Sequence, residues 1–133
     1  MTPREAVAAF YERVWNRRDK AAIAELLQAD FTFRGSLGPT MTGHAPFAAY
    51  VAMVTEALSG YRCTVLDLVT EGERAFARMQ FEGIHHGPFL GFAPTGKKVT
   101  WGAIDIWRVE NGKLAEHWDI VDVAALQRQL RGD

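Results

Sequence analysis

"VTWGAIDIWRVENGKLAEHWDIVD", residues 99–122, alternates apolar and polar residues on both sides of Glu110-Asn111-Gly112. A period of two marks half-buried strands, and turn residues between two such runs mark a hairpin. Which side chains share a face depends on the loop. With Asn111-Gly112 as a two-residue loop, Asp105 opposes Trp118 and Asp119 opposes Ile104. With Glu110-Asn111-Gly112 as a three-residue loop, Val109 pairs with Lys113, Asp105 opposes His117 and Ala103 opposes Asp119. The second register gathers Trp101, Ala103, Asp105, Trp107, His117, Asp119 and Val121 on one face. It leaves Ile104, Ile106, Trp118 and Ile120 on the other. A lone charge among isoleucines is costly, so this sorting favours the three-residue loop. A slip of one residue would turn every side chain to the opposite face.

The same period extends upstream. Residues 61–70 and 74–85 read as strands joined at Glu71-Gly72-Glu73, with Ala75, Ala77, Met79 and Phe81 opposite Arg78, Gln80 and Glu82. Residues 85–97 carry glycines and prolines and read as a long loop. The first half has helical spacing instead. Thr2-Pro3-Arg4-Glu5 fits a capping box, and Val7, Phe10, Tyr11, Val14 and Trp15 make one apolar face. Asp19 can cap a second helix that buries Ile23, Leu26 and Leu27. Phe31-Thr32-Phe33 is a short strand, and Gly35, Gly38, Pro39 and Gly43 mark a loop. A third helix carries Phe47, Tyr50, Val51, Val54 and Leu58, and Asp122 can cap a last one with Leu126 and Leu130. The order α-α-β-α-β-β-β-β-α is that of the α+β class. It predicts a cone: a curved antiparallel or mixed sheet, three helices of the N-terminal half on its concave face, and a short C-terminal helix.

Composition bounds the function. The 133 residues are 48% hydrophobic and 23% charged, with net charge −1. That fits one globular domain over residues 1–133, long enough to bury roughly two-thirds of its unfolded surface. No run of Lys and Arg offers an electrostatic footprint for nucleic acid or anionic membrane. No apolar run approaches the ~18 residues of a membrane span, and the opening residues do not read as a signal peptide. The expectation is a cytoplasmic protein. Cys63, the single cysteine, excludes an internal disulfide and a cysteine-rich zinc site.

Several motifs resemble a known family. Trp15-Asn16, Asp19 and Ala29-Asp30-Phe31 resemble the opening of the nuclear transport factor 2-like superfamily. Gly83-Ile84-His85-His86-Gly87-Pro88-Phe89-Leu90-Gly91 and Pro94-Thr95-Gly96-Lys97 resemble a stretch of the SnoaL-like polyketide cyclases. Asp105 to Lys113, Glu116-His117-Trp118-Asp119 and the terminal Leu126-Gln127-Arg128-Gln129-Leu130 continue the likeness. The resemblance implies a cone-shaped α+β fold and an intramolecular aldol ring closure on a polyketide, without metal or cofactor. It maps the family's acid–base aspartate onto Asp119. It also implies pairing into a homodimer through the sheet, for which Trp118, Ile104, Ile106 and Ile120 offer a surface.

Chemistry and parity together name the candidates. Asp105, His117 and Asp119 form a cluster in which directly opposed Cβ atoms stand ~5 Å apart. Burial and an acidic neighbour push a carboxyl upward, which suits proton transfer near neutral pH. Asp119 fits the base, with His117 or Asp105 orienting it or donating. A lining of Phe10, Tyr11, Trp15, Phe33, Met53, Met79, Phe81 and Trp101 fits a small hydrophobic or aromatic substrate, and Tyr11 and Tyr50 can donate to its oxygens. His85 shares the parity of Met79 and Phe81, so it either lines the pocket or pins the long loop; His86 faces away. His85, His117 and Asp119 have no metal-ligand spacing, and no metal site is expected. An epoxide hydrolase of the limonene type carries an Arg and an Asp where this chain has Met79 and Phe81. A ketosteroid isomerase reading lacks its early base, since Asp30 reads as structural. A non-catalytic module that binds a hydrophobic ligand is the remaining alternative.

Overall fold

The computed structural model describes residues 1–132. Helix α1 (Pro3–Ala9) opens with the predicted capping box: Thr2 Oγ1 accepts from the Glu5 amide at 3.2 Å, and Glu5 Oε1 accepts from the Thr2 amide at 3.0 Å. It runs directly into a π-helical segment, Phe10–Asn16. There the backbone bonds skip one residue more than in an α-helix, as between the Arg17 amide and the Glu12 carbonyl at 2.8 Å. The wider turn buries Phe10, Tyr11, Val14 and Trp15 together. The chain then reaches α2 (Ala22–Leu26), entered through Asp19, whose Oδ1 accepts from the Ala21 amide at 3.0 Å.

One mixed sheet follows, built from β1 (Leu27–Gly35), β2 (Met41–Thr42), β3 (Leu58–Glu71), β4 (Arg74–His85), β5 (Lys98–Glu110) and β6 (Lys113–Val121), in spatial order β2-β1-β6-β5-β4-β3. Only β1 and β6 are parallel neighbours. Helix α3 (His44–Ala57) lies between β2 and β3 in sequence, and α4 (Val123–Arg131) closes the fold. Asp122 caps α4 through the Ala125 amide at 3.1 Å, and Gln129 clasps both backbone groups of Thr100 on β5.

The α+β architecture matches expectation, with corrections at the boundaries. Leu27 begins β1 and Leu58 begins β3, whereas apolar periodicity places both in helices. Each is a buried residue at a helix–strand junction, so burial alone does not distinguish the two states. Strand β2 leaves no mark on the sequence, because two residues carry no period.

The central hairpin is also corrected. Glu110 pairs with Lys113, so the loop is the two-residue Asn111-Gly112, with both residues at positive φ (52° and 76°). A bulge then intervenes: Val109 faces Leu114, but Arg108 faces Glu116, leaving Ala115 as the extra residue. A three-residue loop and a two-residue loop with this bulge each move the pairing by one residue, in opposite directions. The predicted faces therefore survive and the predicted partners do not. Asp105 opposes Asp119, Trp107 opposes His117, and Ala103 opposes Val121.

The inner face of the sheet meets α1, the π-helical segment and α3 in an aromatic core around Phe10, Phe31, Phe47 and Trp107. Asn16 ties this layer to β3, donating to the Cys63 carbonyl at 3.0 Å and accepting from its amide at 2.8 Å. No helix among the described residues is long and apolar enough to cross a membrane.

Candidate active site

The inner face of β5 and β6 carries Asp105, His117 and Asp119, all buried, with exposures of 0%, 3% and 8%. Above them the sheet and helices leave a cavity lined by Tyr11 and Trp15 of the π-helical segment, Tyr50 of α3, and Phe33, Tyr61, Phe81 and Trp101 of the strands. Leu37 and Val54 complete the lining with the two acids and His117. Its empty space is about 370 Å³. That figure includes open solvent and gaps between atoms, and the part open to water seats about one molecule. No Lys or Arg lines it.

Each polar group has a defined place. Tyr11 Oη donates to Asp105 Oδ2 at 2.5 Å, and Trp107 Nε1 donates to Tyr11 Oη at 3.2 Å. His117 lies flat on Trp107, with centroids 3.6 Å apart and planes 6° apart. Its Nδ1 donates to the Ile106 carbonyl at 3.4 Å, so its Nε2 bears a lone pair. Burial holds its pKa down at about 3. His117 is therefore neutral, and its 3.8 Å approach to Asp105 Oδ2 is neither an ion pair nor a hydrogen bond. Ser36 Oγ donates to the Asp119 carbonyl at 2.8 Å and accepts from the Val121 amide at 3.0 Å, which fixes the end of β6.

The two carboxyls form a pair. Burial pushes Asp105 well above the usual carboxylate range, and the charge of Asp119 pushes it further; the bond from Tyr11 works in the opposite direction. Burial raises Asp119 too, while its hydrogen bond with Asp105 lowers it. Asp105 Oδ1 and Asp119 Oδ1 are buried and receive no donor from any other described group. Two hydrogen-bonded buried carboxyls do not readily both ionise, so the pair shares one proton over part of the pH range. Asp105 is the more deeply buried of the two and the further raised, and Asp119 is the more exposed.

Of the residues expected at the site, Tyr11, Trp15, Phe33, Tyr50, Phe81, Trp101, Asp105, His117 and Asp119 meet around one cavity. Four do not. Met53 is 43% exposed on the outer side of α3, because only Phe47, Tyr50, Val54 and Ala57 of that helix turn inward. Phe10 is packed against Trp107 and His117, beneath the site. Met79 is core. His85 pins the loop: its Nδ1 accepts from the Thr95 amide at 3.3 Å and meets Thr95 Oγ1 at 3.0 Å. Among the described residues no group of three or more His, Cys, Asp or Glu is placed to hold a metal ion. Tyr61, Val54 and Leu37 were missed, although Val54 was expected on the inner side of its helix. Tyr61 and Cys63 share a parity that could have flagged the first, and it stacks on Phe81 at 6.2 Å. Leu37 sits in an aperiodic loop and gives no such signal.

Residues 5–130 match the model of a family described as SnoaL-like polyketide cyclase. Aklanonic acid methyl ester cyclase DnrD of Streptomyces peucetius is 27% identical over 81% of this chain and 77% of its own. The structure of TsrD from Streptomyces laurentii is 32% identical, with a TM-score of 0.79 over 96% of this chain and 91% of that one. A SnoaL-like protein from Jannaschia sp. CCS1, 20% identical, shares the fold with a TM-score of 0.89 over 98% and 92%. A match over nearly the whole length means that the chain belongs to the SnoaL-like polyketide cyclase family.

Proposed function

We propose that the protein closes a ring in a neutral, carbonyl-bearing polyketide by an intramolecular aldol step, with Asp119 as the acid–base group. The observation that carries this reading is the acid pair at the floor of an aromatic, cation-free cavity. As the ionised member, Asp119 takes the proton from a carbon between two carbonyls. The resulting enolate carbon attacks a second carbonyl; its π electrons move to oxygen as the C–C bond forms. The carboxyl then returns its proton to that alkoxide, so the pair ends with the one proton it began with. The raised pKa of a buried carboxyl favours both transfers near neutral pH.

The lining also constrains the substrate, which enters as the aromatic side chains over the acid pair move apart. A free carboxylate would enter beside the acid pair with no cation to meet it, whereas an ester is neutral. DnrD is named for a methyl ester, which supports testing aklanonic acid methyl ester here. Purified protein should convert it to a cyclised isomer of equal mass, resolved by chromatography. Asp119→Asn should slow turnover by about 10²- to 10⁴-fold. Full-rate turnover by the Asp119→Asn protein would overturn the assignment, and tight binding without conversion would favour a non-catalytic module.

We also propose that a second copy covers the outer face of the sheet, where Leu66, Phe76, Ile84, Ile104 and Ile120 are exposed. Trp118 contributes less than expected, since Arg34 and Arg74 already cover its ring at 5.0 and 5.6 Å. Light scattering of wild type and Ile104→Lys distinguishes dimer from monomer.

A further inference from the structure

We infer that Tyr11, oriented by Trp107, is a positioning residue for the acid pair: it fixes Asp105 by one oxygen so that the other shares its proton with Asp119. This deepens the acid–base reading above and rests on it.

The direction of the hydrogen bonds carries the inference. An indole N–H can only donate, so the Trp107–Tyr11 contact occupies an acceptor site of the tyrosine oxygen. The phenol hydrogen must then point elsewhere, and the carboxyl 2.5 Å away is Asp105 Oδ2. Donation to Oδ2 leaves Oδ1 as the free oxygen of Asp105, and Oδ1 is the buried atom without another partner, like Asp119 Oδ1 on the directly opposed residue. The relay thus runs one way, from Trp107 through Tyr11 and Asp105 to Asp119. Its hinge is the π-helical segment, which turns Tyr11 inward beside Phe10, Val14 and Trp15.

No other described group does the same for Asp105. His117 of β6 offers only a lone pair at 3.8 Å. Tyr50 of α3, with Tyr61 and Cys63 of β3, lies within electrostatic reach of the acids, and burial leaves all three uncharged. Tyr11 is nearly as buried as the acid it holds, at 2% exposure. Removing its hydroxyl leaves Asp105 without the one donor that favours its charged form, and frees its carboxyl to rotate.

Carboxyl-carbon NMR of protein labelled at aspartate, followed against pH, tests this without any substrate. In wild type one carboxyl of the pair should stay protonated at neutral pH. Tyr11→Phe should raise the pair's upper titration by about one pH unit or more, while Tyr50→Phe leaves it in place. Replacing all tyrosines by 3-fluorotyrosine, a stronger donor of nearly the same shape, should move it the other way. This isosteric arm remains informative even where Tyr11→Phe does not fold. An unchanged titration in folded Tyr11→Phe, or in the fluorinated protein, overturns the inference. Because the readout is the pair itself, that result differs from loss of the cyclase reading, which shows as Asp119→Asn turning over normally.

Discussion

Glu116 and Asp119 lie on the same strand, on opposite faces of it, and the fold treats them in contrary ways. Slight burial raises Glu116, but bonds and charge from Arg108 at 2.9 Å and Arg34 at 3.0 Å outweigh it and hold its pKa down. Asp119 has no cation in its cavity, and burial drives it up. The outer face pairs its charges with one another in water; the inner face withholds a partner. An acid becomes chemically useful here by where the chain puts it and by what is kept away, since both residues are ordinary carboxylates in sequence.

The harshest way to break this contrast is to shift the part of β6 beyond the bulge. Deleting Ala115 would leave Arg108 facing Glu116 and both faces as they are, whereas one residue inserted between Glu116 and His117 would turn His117 and Asp119 outward and Trp118 and Ile120 into the core. We expect no folded protein from the insertion, seen as loss of near-UV circular dichroism and of a cooperative urea transition. Next in size is the roughly 10²- to 10⁴-fold loss of turnover in Asp119→Asn, against a fold that persists.

A pH experiment sharpens the contrast further. His117 binds its proton only near pH 3 when folded and near 6.5 when unfolded, so its contribution to stability is full above 6.5 and is lost as pH falls toward 3. The slope is ~1.4 kcal/mol per pH unit. Asp105 runs the other way: its folded pKa is raised, so stability is greatest below its ordinary value of 3.8 and is lost as pH rises toward the raised value. Between those limits the two slopes oppose each other. Urea titrations from about pH 4 to 6.5 should therefore find opposite changes of slope when either group is removed from wild type. Asp105→Asn should lose stability as pH falls, and His117→Phe should gain it. The smallest effect belongs to the outer face: Glu116→Gln should cost less than about 1 kcal/mol, and less still in high salt.

Parity made the faces of the central hairpin readable. Ionisable and aliphatic residues alternate so cleanly that only one sorting spares a buried charge, and Asp105, His117 and Asp119 were found together for that reason. Their partners were not readable, because Leu114 and Ala115 are both buried and nothing in their side chains announces which one the pairing skips. The helix that carries Tyr11 presents a similar case. Its apolar spacing fits an α-helix, and the wider turn is imposed by packing against the sheet rather than by any residue's preference. His85 illustrates a third reason: parity places it inward, yet only the loop's return reveals Thr95 as its partner.

The bulge at Ala115 and the π-helical turn beneath Tyr11 are the same kind of event, one residue more than the regular element holds, accommodated without breaking it. Both aim at Asp105, one by bringing Asp119 opposite and the other by bringing a phenol to its side. The acid pair is thus set by chain length as much as by residue identity. Relatives with one residue more in β6 between the bulge and Asp119, or one fewer in the π-helical turn, would keep the same letters and lose the proton-sharing geometry, so the position of a gap, and not the match of an aspartate, is what to inspect when this site is traced across the family.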